Sequence, residues 1–128
     1  MQLESGIETS VAKLYLEDDI MIMRAKSFST FNLEVTKEIV VLRKELQQGI
    51  SMPMLVDTRL MFQGTNESRE YGSTKEGMNL ISALAILSGA SLSARLTGNF
   101  FIQINKPQIP TKLFKKEKNA IKWLNTFK

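Results

Sequence analysis

A continuous apolar run, Met52-Pro53-Met54-Leu55-Val56, stops at Asp57-Thr58-Arg59. A strand buried on both faces shows such a run in place of alternation, and its first polar residues mark the carboxyl end, where open α/β sheets place binding sites. This stretch is therefore read as the central strand. Leu80 to Leu87, polar only at Ser82 and ended by Ser88-Gly89, reads as a second buried strand. Upstream, the alternating run Val11 to Glu17 and the run Ile20 to Lys26 flank Asp18-Asp19. Aspartate tolerates the left-handed backbone of a tight turn, so the pattern predicts a hairpin.

Helical spacing fills the intervals. Asn32 is a suitable N-cap and Glu34 suits the positive end of the dipole. Val35, Ile39, Leu42 and Leu46 then share a face, with Arg43 and Lys44 near the end and Gly49 as the left-handed stop. Leu60 to Thr65 is an apolar loop that either covers the core or faces a partner. Thr65 or Asn66 can cap a weaker, polar helix running through Glu67, Arg69, Glu70 and Tyr71 to about Glu76. Leu92, Leu96, Phe100 and Ile104 form the strongest amphipathic stripe. Pro107 and Pro110 force an extended connection, Thr111 to Phe114 can add a last short strand, and Asn119 to Phe127 closes as a helix. The expected fold class is α/β: a mixed β-sheet with helices packed mainly on one side, in the order β-β-α-β-α-β-α-β-α. Residues 1–10 are expected to be a flexible amino-terminal segment and residues 11–128 a single domain.

Composition narrows the chemistry. Cysteine and histidine are both absent, which removes disulfides, thiolate or imidazole metal sites, cysteine nucleophiles and the usual general base near neutral pH. No cofactor, metal or catalytic residue is expected. Asp18-Asp19 is a turn, because adjacent residues there point apart. No apolar run is long enough to span a membrane and no signal-peptide pattern opens the chain, so a cytoplasmic location is expected. The net charge is +4, but residues 106–128 carry seven basic residues against one Glu, so the basic character is confined to that segment.

The element order, with Leu55-Val56-Asp57 in mid-chain, Ala83 to Leu87 as a strand and the runs Leu96 to Phe101 and Ala120 to Leu124 near the end, resembles the STAS-like domains, and among them the small SpoIIAA-like bacterial proteins. The resemblance extends from about Val11 and implies a mixed sheet, a regulatory protein-binding role and often a homodimer. It carries the family's chemistry poorly. The Asp-Ser-Ser-Gly run that supplies a phosphorylated serine in the antagonists of anti-sigma factors is replaced here by Gln63-Gly64-Thr65-Asn66-Glu67-Ser68. Thr65 and Ser68 are the nearest hydroxyls; Thr65 is read first as a plain helix cap, with a phosphoswitch as the second reading.

The residues singled out as partner- or ligand-binding candidates are Asp57, Thr58, Arg59, Thr65, Ser68, Lys112 and Lys115. Asp57, Thr58 and Arg59 either hold an anionic or polar ligand or tie down their own loop, with Asp accepting backbone N–H groups and Arg pairing with a carboxylate. Lys115, Lys116 and Lys118 at the start of the last helix either collect an anion or splay into solvent. Three functions stand in order. The first is a non-catalytic protein-interaction or regulatory domain. The second is a carrier or sensor of a small apolar or anionic ligand, as in Sec14-type domains, with Arg59, Lys112 and Lys115 reading the charge. The third is weak binding of nucleic acid or an anionic surface through the basic segment; it ranks last because aromatic residues interleave only thinly with the lysines.

Overall fold

The structure is a computed structural model that describes residues 6–61, 63–89 and 107–128. Its main sheet has six strands: β1 Gly6–Glu8, β2 Ala12–Glu17, β3 Ile20–Ala25, β5 Met52–Asp57, β7 Ile81–Leu87 and β8 Thr111–Phe114, in that spatial order. The first three pair antiparallel, whereas β3, β5, β7 and β8 run parallel, so the sheet is mixed. The short strands β4 Thr30–Phe31 and β6 Gln63–Gly64 form a separate parallel pair. Helices α1 Leu33–Gln47, α2 Asn66–Gly72 and α3 Glu117–Asn125 complete the described elements. The helix expected from Leu92 to Ile104 lies outside the described residues.

The predicted hairpin is β2–β3. Asp18 and Asp19 take φ of 51° and 64°, the paired left-handed conformation of a two-residue turn that matches strand twist. Gly6–Glu8 lies within the segment expected to be flexible, yet it is an edge strand. Ile7 packs on the core, and the Thr9 hydroxyl accepts the N–H groups of Val11 and Ala12 to fix the turn into β2.

Strand alternation divides the interior into two clusters. Leu14, Met21, Met23, Met54 and Leu84 face one way, together with Val35, Ile39, Leu42 and Leu46 of α1. Ile20, Ile22, Leu55, Ala85 and Leu87 face the other, beneath Ala120 and Leu124 of α3. Two of the described helices, α1 and the α2 that rests on it, therefore lie on one side and α3 on the other.

Asn32 caps α1 as expected, its side-chain oxygen accepting the N–H of Val35 at 2.9 Å. Asn32→Ala should cost about 1 kcal/mol in urea unfolding. Two details of α1 depart from expectation. Gln48, not Gly49, takes the left-handed C-cap position, although Gly49 also has positive φ. Arg43 does not complement the dipole from the surface: it is 1% exposed, donating to Gln47 Oε1 and to the Gly77 carbonyl. Burial pushes its guanidinium down to about 10, so it is still charged near neutral pH.

Helix α2 ends at Gly72 rather than near Glu76, because the hydroxyls of Ser73 and Thr74 turn back to the carbonyls of Glu70 and Tyr71. The turn that follows closes tightly: a Cβ on Gly77 would lie 2.1 Å from the Tyr71 carbonyl oxygen. Gly77→Ala should accordingly lose about 2 kcal/mol, readable as a lower urea midpoint, since a backbone atom must give way.

Candidate functional site

Parallel strands β3 and β5 end side by side, with Arg24 in register with Asp57. Both side chains project to the face that α3 covers, and α3 begins there with Glu117. Arg24 is the hub. Its Nη1 donates to Asp57 Oδ2 at 2.8 Å and to Glu117 Oε1 at 2.9 Å, its Nη2 to Glu117 Oε2 at 2.9 Å, and its Nε to the Tyr15 hydroxyl at 2.7 Å. The two-pronged contact with Glu117 is the strong, planar form of the arginine–carboxylate pair.

Asp57 is 7% exposed. Its Oδ1 accepts the backbone N–H of Arg59 at 3.1 Å and Arg59 Nε at 3.0 Å, while Oδ2 accepts Arg59 Nη2 at 2.9 Å. Burial alone would raise the Asp57 pKa. The side-chain and backbone hydrogen bonds from Arg59, joined by Arg24, outweigh it and hold the carboxyl below its usual range. Arg24 does the same for Glu117, against a smaller desolvation effect. In return, Glu117 raises Arg24 and Asp57 raises Arg59. Thr58 faces its neighbour strand, with both its N–H and its hydroxyl donating to the Leu87 carbonyl.

Asp57, Thr58 and Arg59 thus do what a tied-down loop requires: they fix the exit from β5. Arg59 stays half-exposed, with 43% of its side chain open to solvent. The sequence reading missed Arg24, Tyr15 and Glu117. Arg24 is a signal in plain view, a charge at an inward position of a buried strand, but its carboxylate partners lie 33 and 93 residues away. Glu117 also moves the helix start. The last helix was expected from Asn119; it begins at Glu117, where an acidic side chain suits the dipole, and Lys116 before it provides no side-chain cap.

The remaining candidates lie apart. Thr65 caps α2, its hydroxyl accepting the N–H of Ser68 at 3.2 Å. Ser68 is buried, and its hydroxyl is bonded to that of Thr36 on α1. Lys112 lies over the Phe114 ring and Lys115 projects into solvent. The β4–β6 pair ties the two loops together. It places Asn32 and Thr65 beside each other, and the Phe28 N–H donates to the Leu60 carbonyl at 2.9 Å. Of the apolar loop, Met61 packs on the core but Leu60 is 59% exposed, and Phe28 beside it is 86% exposed.

Two open clefts adjoin described residues. One, of about 300 Å³, is lined by Glu17, Asp18, Asp19 and Ile121 among others; the other, of about 370 Å³, by Asn32, Glu34, Lys37, Thr65 and Glu67. Carboxylates share each lining with a cation and apolar side chains: Lys128, Ile20 and Ile22 in the first, Lys37 and Leu33 in the second. Among the described residues no group of three acidic side chains converges as a metal site, and no helix is long and apolar enough to cross a membrane.

A mixed sheet entered by a hairpin and continued by parallel strands, with α1 on one face and the closing helix on the other, is the STAS-like architecture. Solved structures share it. An uncharacterized protein of the DUF3478 family with a SpoIIAA-like fold, from Shewanella loihica PV-4, superposes with a TM-score of 0.61 at 14% identity, over 97% of each chain. The anti-sigma factor antagonist SpoIIAA in its unphosphorylated form gives a TM-score of 0.55 at 13% identity, over 89% of this chain and 97% of its own. Among curated proteins none matches. The family described as "Domain of unknown function (DUF7793)" matches residues 14–128, and the chain belongs to it.

Proposed function

We propose that this chain is a non-catalytic protein-interaction or regulatory domain, working in the cytoplasm, whose contact surface is the carboxyl edge of the sheet around Phe28, Arg59 and Leu60. The observation that carries the reading is the side-by-side exposure of Phe28 and Leu60 on loops that the β4–β6 pair holds in place. Two large apolar side chains held outward by ordered backbone favour recognition over core-making. The likeness to an anti-sigma factor antagonist supports a partner protein as the object of that recognition. Thr65 and Ser68 contribute by building α2: one is a cap and the other is buried against α1. A phosphoswitch at Ser68 would have to open that packing first. The reading includes a homodimer as the assembly state.

The test is photo-crosslinking in cells, with a benzophenone amino acid placed at position 28 or 60, and at position 41 as a comparator. Val41 is equally apolar and 56% exposed, but lies out on α1. Protein adducts from positions 28 and 60 and none from 41 are expected. Equal labelling at 41, or none at all, would overturn the surface. Native mass spectrometry of the purified chain reports subunit count and retained small molecules together, and a stoichiometric small-molecule adduct would favour the carrier reading instead.

A further inference from the structure

We infer that the partner segment recognised at this edge is acidic as well as apolar: a peptide that sets a large apolar side chain against Phe28 and Leu60 and a carboxylate against the cations beside them. The inference rests on the interaction-domain reading above and adds the chemistry of the partner.

The first observation is the backbone at Phe28. Its φ of 58° is a left-handed conformation that bulky residues rarely adopt. It occurs in the turn closed by the Ser29 N–H donating to the Lys26 carbonyl. Glycine or asparagine would make this turn without strain. A phenylalanine in that position, 86% exposed, contributes nothing to the core and loads the turn with strain. Such a residue is explained by what its side chain meets outside the fold.

The second observation is charge. The same edge, where β3, β5 and β8 end and α3 begins, carries Arg24, Lys26, Arg59, Lys115, Lys116 and Lys118 against Glu8, Asp57 and Glu117. Glu8 is paired with Lys26 at 2.7 Å, and Asp57 and Glu117 are bound by Arg24 and Arg59. Lys115, Lys116 and Lys118 are exposed, and Arg59 keeps part of its fork open to solvent. The unspent charge along this edge is therefore positive, with Arg59 next to Leu60 and the lysines at its β8 end, and it steers toward a carboxylate-bearing partner. An anionic bilayer would meet the same lysines, but Phe28 and Leu60, one on each of two loops held together by backbone pairing, give it only two apolar side chains to take up. The fixed, partly satisfied fork of Arg59 suits a single carboxylate held in plane.

The experiment uses the full chain as bait for a phage-displayed library of random peptides, with the F28G/L60S variant for counterselection. Phe28→Gly relieves the left-handed strain, so that variant keeps the fold, checked by its urea midpoint. Retained peptides should place Asp or Glu within a few residues of a large apolar side chain, and their affinity should fall about tenfold in the K115E/K116E/K118E variant. Basic or neutral peptides, or affinity indifferent to charge reversal, would overturn the partner chemistry. So would sedimentation of the chain with phosphatidylserine vesicles that depends on Phe28. If no Phe28-dependent acidic peptide emerges while position 28 still crosslinks to protein, the acidic-partner inference fails and the interaction reading stands. If crosslinking fails as well, both fall.

Discussion

Leu55→Ala should lower the unfolding free energy by about 4 kcal/mol. Leu55 is 0% exposed in the strand flanked by β3 and β7, and in register with Ile22 and Ala85. Its neighbours explain why the value belongs near the upper end for such a change. Ala83, Ala85 and Ala120 line the same cluster, so Leu55 supplies bulk that the surrounding side chains are too short to replace. A cavity left there cannot collapse easily, and the cost grows with the volume that stays empty. Leu55→Met, which conserves volume, should lose less than about 1.5 kcal/mol. Urea unfolding followed by the fluorescence of Trp123, the single tryptophan, reads both. A loss under about 1 kcal/mol for the alanine variant would mean that this face is not closed by α3.

The contrast between Leu55 and Arg24 shows what the sequence made legible. Apolar runs are local, and burial on both faces leaves its mark within five residues, so the central strand, the hairpin and the second buried strand could be placed from pattern alone. Caps are local as well: Asn32 and Thr65 each act on an N–H three residues ahead. The β4–β6 pair was not legible, since two residues a side give no periodicity. Arg43 misled because a cation near a helix end has an ordinary solvent-facing explanation, and only the fold brings the Gly77 carbonyl to it. The ionic site was half legible. Asp57 and Arg59 are neighbours in sequence, but Arg24 and Glu117 meet only after β3 and α3 have been laid against the same strand end.

Arg24 is consequently the residue whose loss should be felt most at the site itself. Arg24→Met keeps much of the side chain's length and removes four donated hydrogen bonds, one to Tyr15, one to Asp57 and two to Glu117. Asp57 stays compensated, because Arg59 still binds both its oxygens. Glu117 does not, since its remaining contact with Arg59 is 3.4 Å long. Breaking a buried pair costs several kcal/mol. Here the Arg24 and Glu117 side chains are 26% and 37% exposed, and water screening reduces the expected loss to about 2 kcal/mol at neutral pH. The pH dependence gives the sign. Asp57 and Glu117 both titrate below their ordinary values in the folded chain. The stability they contribute is therefore complete above the unfolded carboxylate range near pH 4 to 4.5 and drains away as pH falls through the lower folded values. The wild type should lose stability steeply over that acid window and the R24M variant less so, the two curves converging as Glu117 takes up its proton. Glu117→Gln alone should imitate the acid limit, and adding it to R24M should cost little more, giving a coupling of about 1–2 kcal/mol in a double-mutant cycle. Trp123 of α3 packs tilted against Phe114 of β8 and edge-on against Phe127, so its emission separates release of that helix from global unfolding. Parallel pH curves for the two proteins would show that Arg24 does not hold α3 to the sheet.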